Sequence, residues 1–245
     1  MINLKDPKTI ALVGLLTGIT LILGFTYLGF IPLPTPAGAA TIMHIPVIIS
    51  GIVLGPGFGA LIGFLFGLST VYYFSSIAPF WVLIPARPLI GVVAGITFSF
   101  LYKILSIKSK IRVLTNFLFS IIVFSLLFLI GNNIFQNLFP QKYIDFPIES
   151  SFIISLLSFI IALPIYLIFK EKKPEIISLS IASLLGSLTN TVGTLGLAVI
   201  FGIFPLGTAI SVGVIHGIPE AILAVIICVP TSIALRRYLQ KEERY

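Results

Sequence analysis

Glu220 and His216 stand four residues apart in the run His216-Gly-Ile-Pro-Glu220, inside the last long apolar stretch of the 245-residue chain. That spacing puts both side chains on one face of a helix. An ionisable group at membrane depth costs about 2.5–3.5 kcal/mol on insertion scales, so such residues are functional candidates by default. The pair can serve as a ligand contact, a proton path, or a structural unit in which His216 holds Glu220. It is not a zincin motif, which needs two histidines one turn apart with the glutamate beside the first. Pro219 withholds a backbone donor in the same helix, and a neighbouring helix or polar side chain must relieve that defect.

Arg87 lies between Pro85 and Pro88, which fix where the chain turns into its fourth apolar segment. Its planar fork suits a carboxylate or a phosphate; an interfacial arginine that snorkels to lipid headgroups is the structural alternative. Asn190, in the run Thr189-Asn-Thr191, offers two donors and an acceptor inside an apolar helix. It can contact a substrate or join helices by hydrogen bonds. His44 opens the second apolar segment. Trp81 sits in a connection beside Phe80, close to Tyr72, Tyr73 and Phe74. An aromatic belt accounts for this cluster, and Trp81 is also a candidate for stacking on a ligand.

The elements that must hold these residues are membrane helices. Apolar residues make up 58% of the chain and charged ones 9%, with a mean hydropathy of +1.16. An average soluble domain is about 25% charged. Apolar segments fall near residues 9–29, 42–55, 58–77, 87–103, 112–131, 151–169, 176–202 and 207–235. That makes an all-α integral membrane protein of about eight helices, in one transmembrane domain over residues 1–245. The second segment is short for a full crossing and is expected to be tilted, broken or sheltered from lipid by its neighbours. The first does not look like a cleaved signal.

Placing the N-terminus inside puts 13 of the 15 basic residues in inner connections, leaving Arg87 and Lys142 outside. By the positive-inside rule this predicts an even helix number, with both termini cytoplasmic in a multi-pass cell-membrane protein. The outer connections then include the proline-rich Ile31-Pro-Leu-Pro-Thr-Pro-Ala-Gly38, a semi-rigid segment that could cap a pocket.

Glycines recur every four residues at Gly14 and Gly18, at Gly51 and Gly55, and at Gly59, Gly63 and Gly67. This spacing lets helix backbones approach closely. The single cysteine, Cys228, excludes an intrachain disulfide. The sequence has no Gly-x-x-x-x-Gly-Lys-Ser/Thr phosphate loop, no Gly-x-Ser-x-Gly nucleophile elbow, and no carboxylate pair that would hold a metal. The chain therefore reads as neither an enzyme nor an ATPase, with no cofactor of its own.

The stretch from Ala40 to Ser69, containing Gly51-Ile-Val-Leu-Gly-Pro-Gly-Phe-Gly59, resembles the second and third helices of the substrate-binding S components of energy-coupling factor (ECF) transporters. Arg87-Pro-Leu-Ile-Gly-Val-Val-Ala-Gly95 and the Thr189-Asn190-Thr191 helix add matches in the expected order, so that the resemblance covers residues 9–103 and 176–235. It implies a six-helix vitamin-binding subunit that works with a transmembrane coupling protein and two cytoplasmic ATPases. ATP would then be used by the partners alone. The resemblance also implies an outward-facing pocket, and a docking role for the small-residue face of the first helix, with Gly14 and Gly18 against the coupling subunit. Substrate-binding candidates are Arg87, Asn190, His216, Glu220, Trp81 and His44.

The sequence departs from that pattern by an added hydrophobic hairpin, residues 112–169. The resemblance is nearest to the pantothenate type and its close relatives, and Arg87 would suit an anionic vitamin; folate, cobalamin, pyridoxine-like and riboflavin relatives stay open. Two other classes compete: a self-sufficient carrier or channel with His216 and Glu220 on an ion path, and a membrane enzyme that depends on the same pair.

Overall fold

The computed structural model describes residues 6–107 and 173–240, with single helical positions at Leu114, Leu118, Ile121, Ile122, Phe124, Ser125, Phe128 and Ser155. The chain divides into two compact units, one formed by Met1–Leu101 and Ser178–Tyr245 and the other by Tyr102–Ile177. In the second unit the Phe124 and Phe128 rings stack 6.5 Å apart. Most of the expected hairpin, residues 112–169, lies outside the described residues. The first unit carries the site.

The described elements run α1 (Pro7–Phe25), β1 (Phe30–Pro32), β2 (Ala39–Thr41), α2 (His44–Val53), α3 (Pro56–Phe74), α4 (Phe80–Leu83), α5 (Ala86–Ile107), α6 (Pro174–Ile200) and α7 (Leu206–Gln240); the last residues of α5 and the first of α6 fall in the second unit. Among the described residues five helices are long and apolar enough to cross a membrane, α4 running on into α5 to make one of the five. The protein is mostly helical, as expected, with one addition: the proline-rich connection forms a two-stranded antiparallel hairpin in which Phe30 pairs with Thr41 and Pro32 with Ala39.

Local chemistry sets the helix starts. Asp6 caps α1, its carboxylate accepting from the backbone N–H of Lys8 and Thr9 at 3.2 Å each, and Pro7 follows with a φ already suited to a helix. Gly55 adopts φ +97°, ψ 164°, a conformation open only to glycine, and so allows the tight turn from α2 into α3.

All ten residues of α2 are buried. At 1.5 Å per residue it is about 15 Å long, half of a hydrocarbon core of about 30 Å. The shortness that sequence flagged therefore has a structural answer: α2 is sheltered on all sides, and it spans only part of the depth that its neighbours span. The β hairpin precedes it in the chain, and a cavity lies between hairpin and bundle.

The close glycines bring α5 in. A Cβ at Gly63 would fall on the Arg87 carbonyl, and one at Gly59 would lie 2.7 Å from the Gly91 Cα. Backbone therefore packs on backbone, as small-residue spacing allows, and this contact pins the first turn of α5, where Arg87 sits. The core behind it gathers Met43, Val47, Ile48, Ile62, Phe66 and Ile90, each wholly buried.

Candidate functional site

Arg87 projects from the start of α5 and is 6% exposed. Its guanidinium carbon lies 4.7 Å from the centre of the Phe66 ring of α3, a cation–π contact that favours a desolvated cation. One terminal nitrogen donates to Asn190 Oδ1 and to Thr194 Oγ1. Asn190 and Thr194 are one turn apart on α6, so a single helix face supplies both acceptors. Arg87 Nε is buried and has no hydrogen-bond partner among the described residues.

Arginine can only donate, so its bond fixes the Asn190 amide with the oxygen toward Arg87 and the nitrogen away from it. That nitrogen faces Glu220 of α7, reaching Oε2 at 3.4 Å, and Thr191 Oγ1 reaches the same oxygen at 3.4 Å. The other carboxylate oxygen accepts from the Thr41 backbone N–H at 2.6 Å. Asn190 thus stands between two side chains of opposite charge type, one from α5 and one from α7.

One turn before Glu220, His216 Nε2 is hydrogen-bonded to Thr35 Oγ1 at 2.8 Å. Two residues of one α7 face therefore hold the hairpin, His216 at its turn and Glu220 at the end of β2. Thr41 closes the hairpin base: its hydroxyl donates to the Gly29 carbonyl at 3.1 Å and accepts from the Met43 N–H at 3.1 Å.

These groups line a single cavity of about 730 Å³, counting its open mouth. Arg87, Asn190, Thr191, Thr194, His216 and Glu220 supply polar groups to its lining, and Phe30 of β1, Phe74 at the end of α3, and Val82 and Leu83 of α4 supply apolar ones. The Phe30 and Phe74 rings are 5.0 Å apart and continue into a cluster with Tyr27 and Tyr73. Tyr27 holds a left-handed conformation at φ 64°, and its ring contacts in that cluster keep it there. A lining that mixes polar and apolar groups suits a small amphipathic solute.

Four of the residues that sequence singled out, Arg87, Asn190, His216 and Glu220, meet at this cavity. His44 lies one layer below: it is fully buried, with Nε2 3.4 Å from both the Glu220 carbonyl oxygen and Ser187 Oγ. It supports the α7 backbone at Glu220 and does not line the space. Trp81 is half exposed, packs edge-on against Phe80 with ring centres 5.0 Å apart, and lies outside the cavity lining, unlike its neighbours Val82 and Leu83. Gly14 and Gly18 have open space where a Cβ would be, with no heavy atom within 4 Å among the described residues. Sequence reasoning missed Thr194 and the Thr41 amide. Thr194 was readable as the residue one turn beyond Asn190; a backbone donor has no side-chain signature.

Among the described residues no group of three or more His, Cys, Asp or Glu could hold a metal ion. At the other end of the first unit, Lys8 of α1 lies over the Tyr238 ring of α7 at 5.1 Å and Arg236 over Phe98 of α5 at 4.5 Å. Basic residues thus collect away from the cavity.

Apolar helices around one mixed polar cavity define a membrane protein that binds a small solute. The family model for the ECF transporter, substrate-specific component, matches residues 8–149, more than half of the chain, and so reaches into the segment expected to be an added hairpin. The chain belongs to this family of substrate-specific components. A comparison with curated proteins finds no match. Members of the family bind small-molecule substrates and work with a coupling module and ATPases; the family belongs to membrane transport and is not an enzyme class.

Proposed function

We propose that this chain captures an anionic, water-soluble vitamin from outside the cell and delivers it through an ATP-driven coupling module, with pantothenate the first candidate. The observation that carries this reading is Arg87. It is a buried guanidinium on the wall of the cavity, held by Asn190 and Thr194 yet with Nε unpartnered among the described residues. Leaving a buried donor unsatisfied costs about 1–3 kcal/mol, and more for a charged group. An anionic ligand in the cavity is attracted by the guanidinium charge, and a preorganised cation loses little entropy in meeting it.

Orientation follows from charge. The cavity end carries Arg87, whereas Lys8, Arg236 and Arg237 lie at the other end of α1 and α7, which by the positive-inside rule is the cytoplasmic end. Both termini are then cytoplasmic and the cavity faces out. The hairpin, gripped by His216 and Glu220, is its cover. Gly14 and Gly18 mark the face of α1 that docks on the transmembrane coupling protein, and two ATPases on the cytoplasmic side supply the energy.

The test is equilibrium binding of a radiolabelled vitamin panel to the detergent-purified chain without ATP, combined with affinity capture of the chain from its own cells. Submicromolar binding of one vitamin and co-purification of a coupling protein with two ATPases are expected. Solute flux into liposomes that contain this chain alone would instead identify a self-sufficient carrier.

A further inference from the structure

Glu220 is 5% exposed and lines the same cavity as Arg87. Every hydrogen bond its carboxyl makes in the described structure is one it accepts. Oε1 is well satisfied by the Thr41 N–H at 2.6 Å. Oε2 is not: its two contacts, from Asn190 Nδ2 and Thr191 Oγ1, are both 3.4 Å long, against usual distances of about 2.9–3.0 Å for N–H···O and 2.7–2.8 Å for O–H···O. A carboxylate has about four acceptor sites, and the Glu220 carboxyl meets three donors, the two on Oε2 at a distance a better-placed donor would improve on. The Asn190 amide, fixed in orientation by Arg87, keeps the two charged groups one side chain apart. The cavity lining therefore sets the Arg87 guanidinium, held by Asn190 and Thr194, beside a Glu220 carboxylate whose Oε2 is only weakly held.

We infer that the cavity is bipolar and selects a substrate that carries, besides the anionic group met by Arg87, a hydrogen-bond donor such as an amide N–H, a hydroxyl or an ammonium, which binds Glu220 Oε2. This inference rests on the capture function proposed above and names the substrate class of that site. A carboxylate without a donor meets Arg87 but brings a second negative group toward Glu220 and leaves Oε2 as it was. A donor-bearing anion completes both poles. The carbon skeleton between its two polar groups is matched by the apolar part of the lining, which includes the Phe30 and Phe74 rings.

The experiment compares two sets of carboxylates as ligands of the purified full chain: pantothenate, biotin and folate, which carry N–H or O–H donors, and nicotinate and lipoate, which carry none. One donor-bearing member is expected to bind at least ~10-fold more tightly than either donor-free one, the discrimination that a single charge-assisted hydrogen bond provides. Glu220→Gln keeps the size of the side chain and an oxygen for the Thr41 N–H. It is expected to weaken the donor-bearing ligand by at least ~10-fold, and to narrow the preference, in protein whose melting temperature and gel-filtration profile match the wild type. Nicotinate or lipoate binding as tightly as every donor-bearing member overturns the inference, and that comparison needs only wild-type protein. Unchanged affinity in folded Glu220→Gln overturns it as well. In both cases the capture function stands, whereas a wild-type chain that binds no member of either set and recovers no coupling complex overturns the capture function and this inference with it.

Discussion

Replacing Asn190 by leucine tests the part of the site on which both charged groups depend. The substitution keeps the number and branching of side-chain heavy atoms but removes the acceptor of one Arg87 hydrogen bond and the donor that faces Glu220. A hydrogen bond to a charged group contributes about 1.5–3 kcal/mol. The 3.4 Å contact to Glu220 adds a smaller amount, because such contacts weaken steeply with length. The expected loss is about 2–4 kcal/mol, which at roughly 2–4 °C per kcal/mol for a chain of this size lowers the melting temperature by about 5–15 °C. Thr194→Ala, which leaves Asn190 in place as the acceptor for the same nitrogen, is expected to cost about 1 kcal/mol. The double variant is expected to lose more than the sum, because the Arg87 nitrogen then keeps neither partner. Thermal unfolding of the purified variants in detergent, followed by differential scanning fluorimetry, measures all three. An Asn190→Leu protein that melts within about 2 °C of the wild type would refute the reasoning that Asn190 ties the poles together.

The helix contacts give a paired prediction. Gly63→Leu drives a side chain into the Arg87 carbonyl and is expected to abolish the folded monodisperse peak in fluorescence-detected gel filtration. Gly14→Leu and Gly18→Leu project into open space and are expected to leave that peak intact while reducing recovery of the coupling protein in affinity capture. His216→Ala removes the bond to Thr35 and is expected to raise the ligand dissociation rate several-fold, about 1 kcal/mol of lost hydrogen bonding, with faster proteolysis in the turn at residues 33–38. Trp81→Ala, outside the cavity lining, is expected to change vitamin affinity by less than about twofold, and a larger loss would bring the indole into the site.

The membrane helices were legible because their signal is chemical and long-ranged: uninterrupted apolar runs, and basic residues gathered at one set of connections. The glycine repeats at Gly59 and Gly63 also carried their meaning in the spacing, since only a face without side chains admits the α5 backbone as closely as the structure shows. The cost of burying polar groups in an apolar segment made Arg87, Asn190, His216 and Glu220 visible as candidates. Which of them face one another was not visible, because α5, α6 and α7 are brought together by packing that no local spacing encodes. The hairpin was also hidden. Prolines at positions 32, 34 and 36 argue for an extended connector, and the pairing of Phe30 with Thr41 depends on where α1 ends and α2 begins. Trp81 shows the converse case, an aromatic with the right chemistry whose short helix α4 turns it away from the cavity while bringing Val82 and Leu83 in.

Native mass spectrometry of the full chain, purified after growth in medium supplemented with the vitamin panel, tests the account most directly. One bound small molecule of vitamin mass per chain is expected in the wild type, an acid by its exchange behaviour, and none in Arg87→Ala protein that elutes from gel filtration as the wild type does. A wild-type chain that carries no vitamin even when each is supplied in excess, or an Arg87→Ala chain that retains the same molecule, would contradict it.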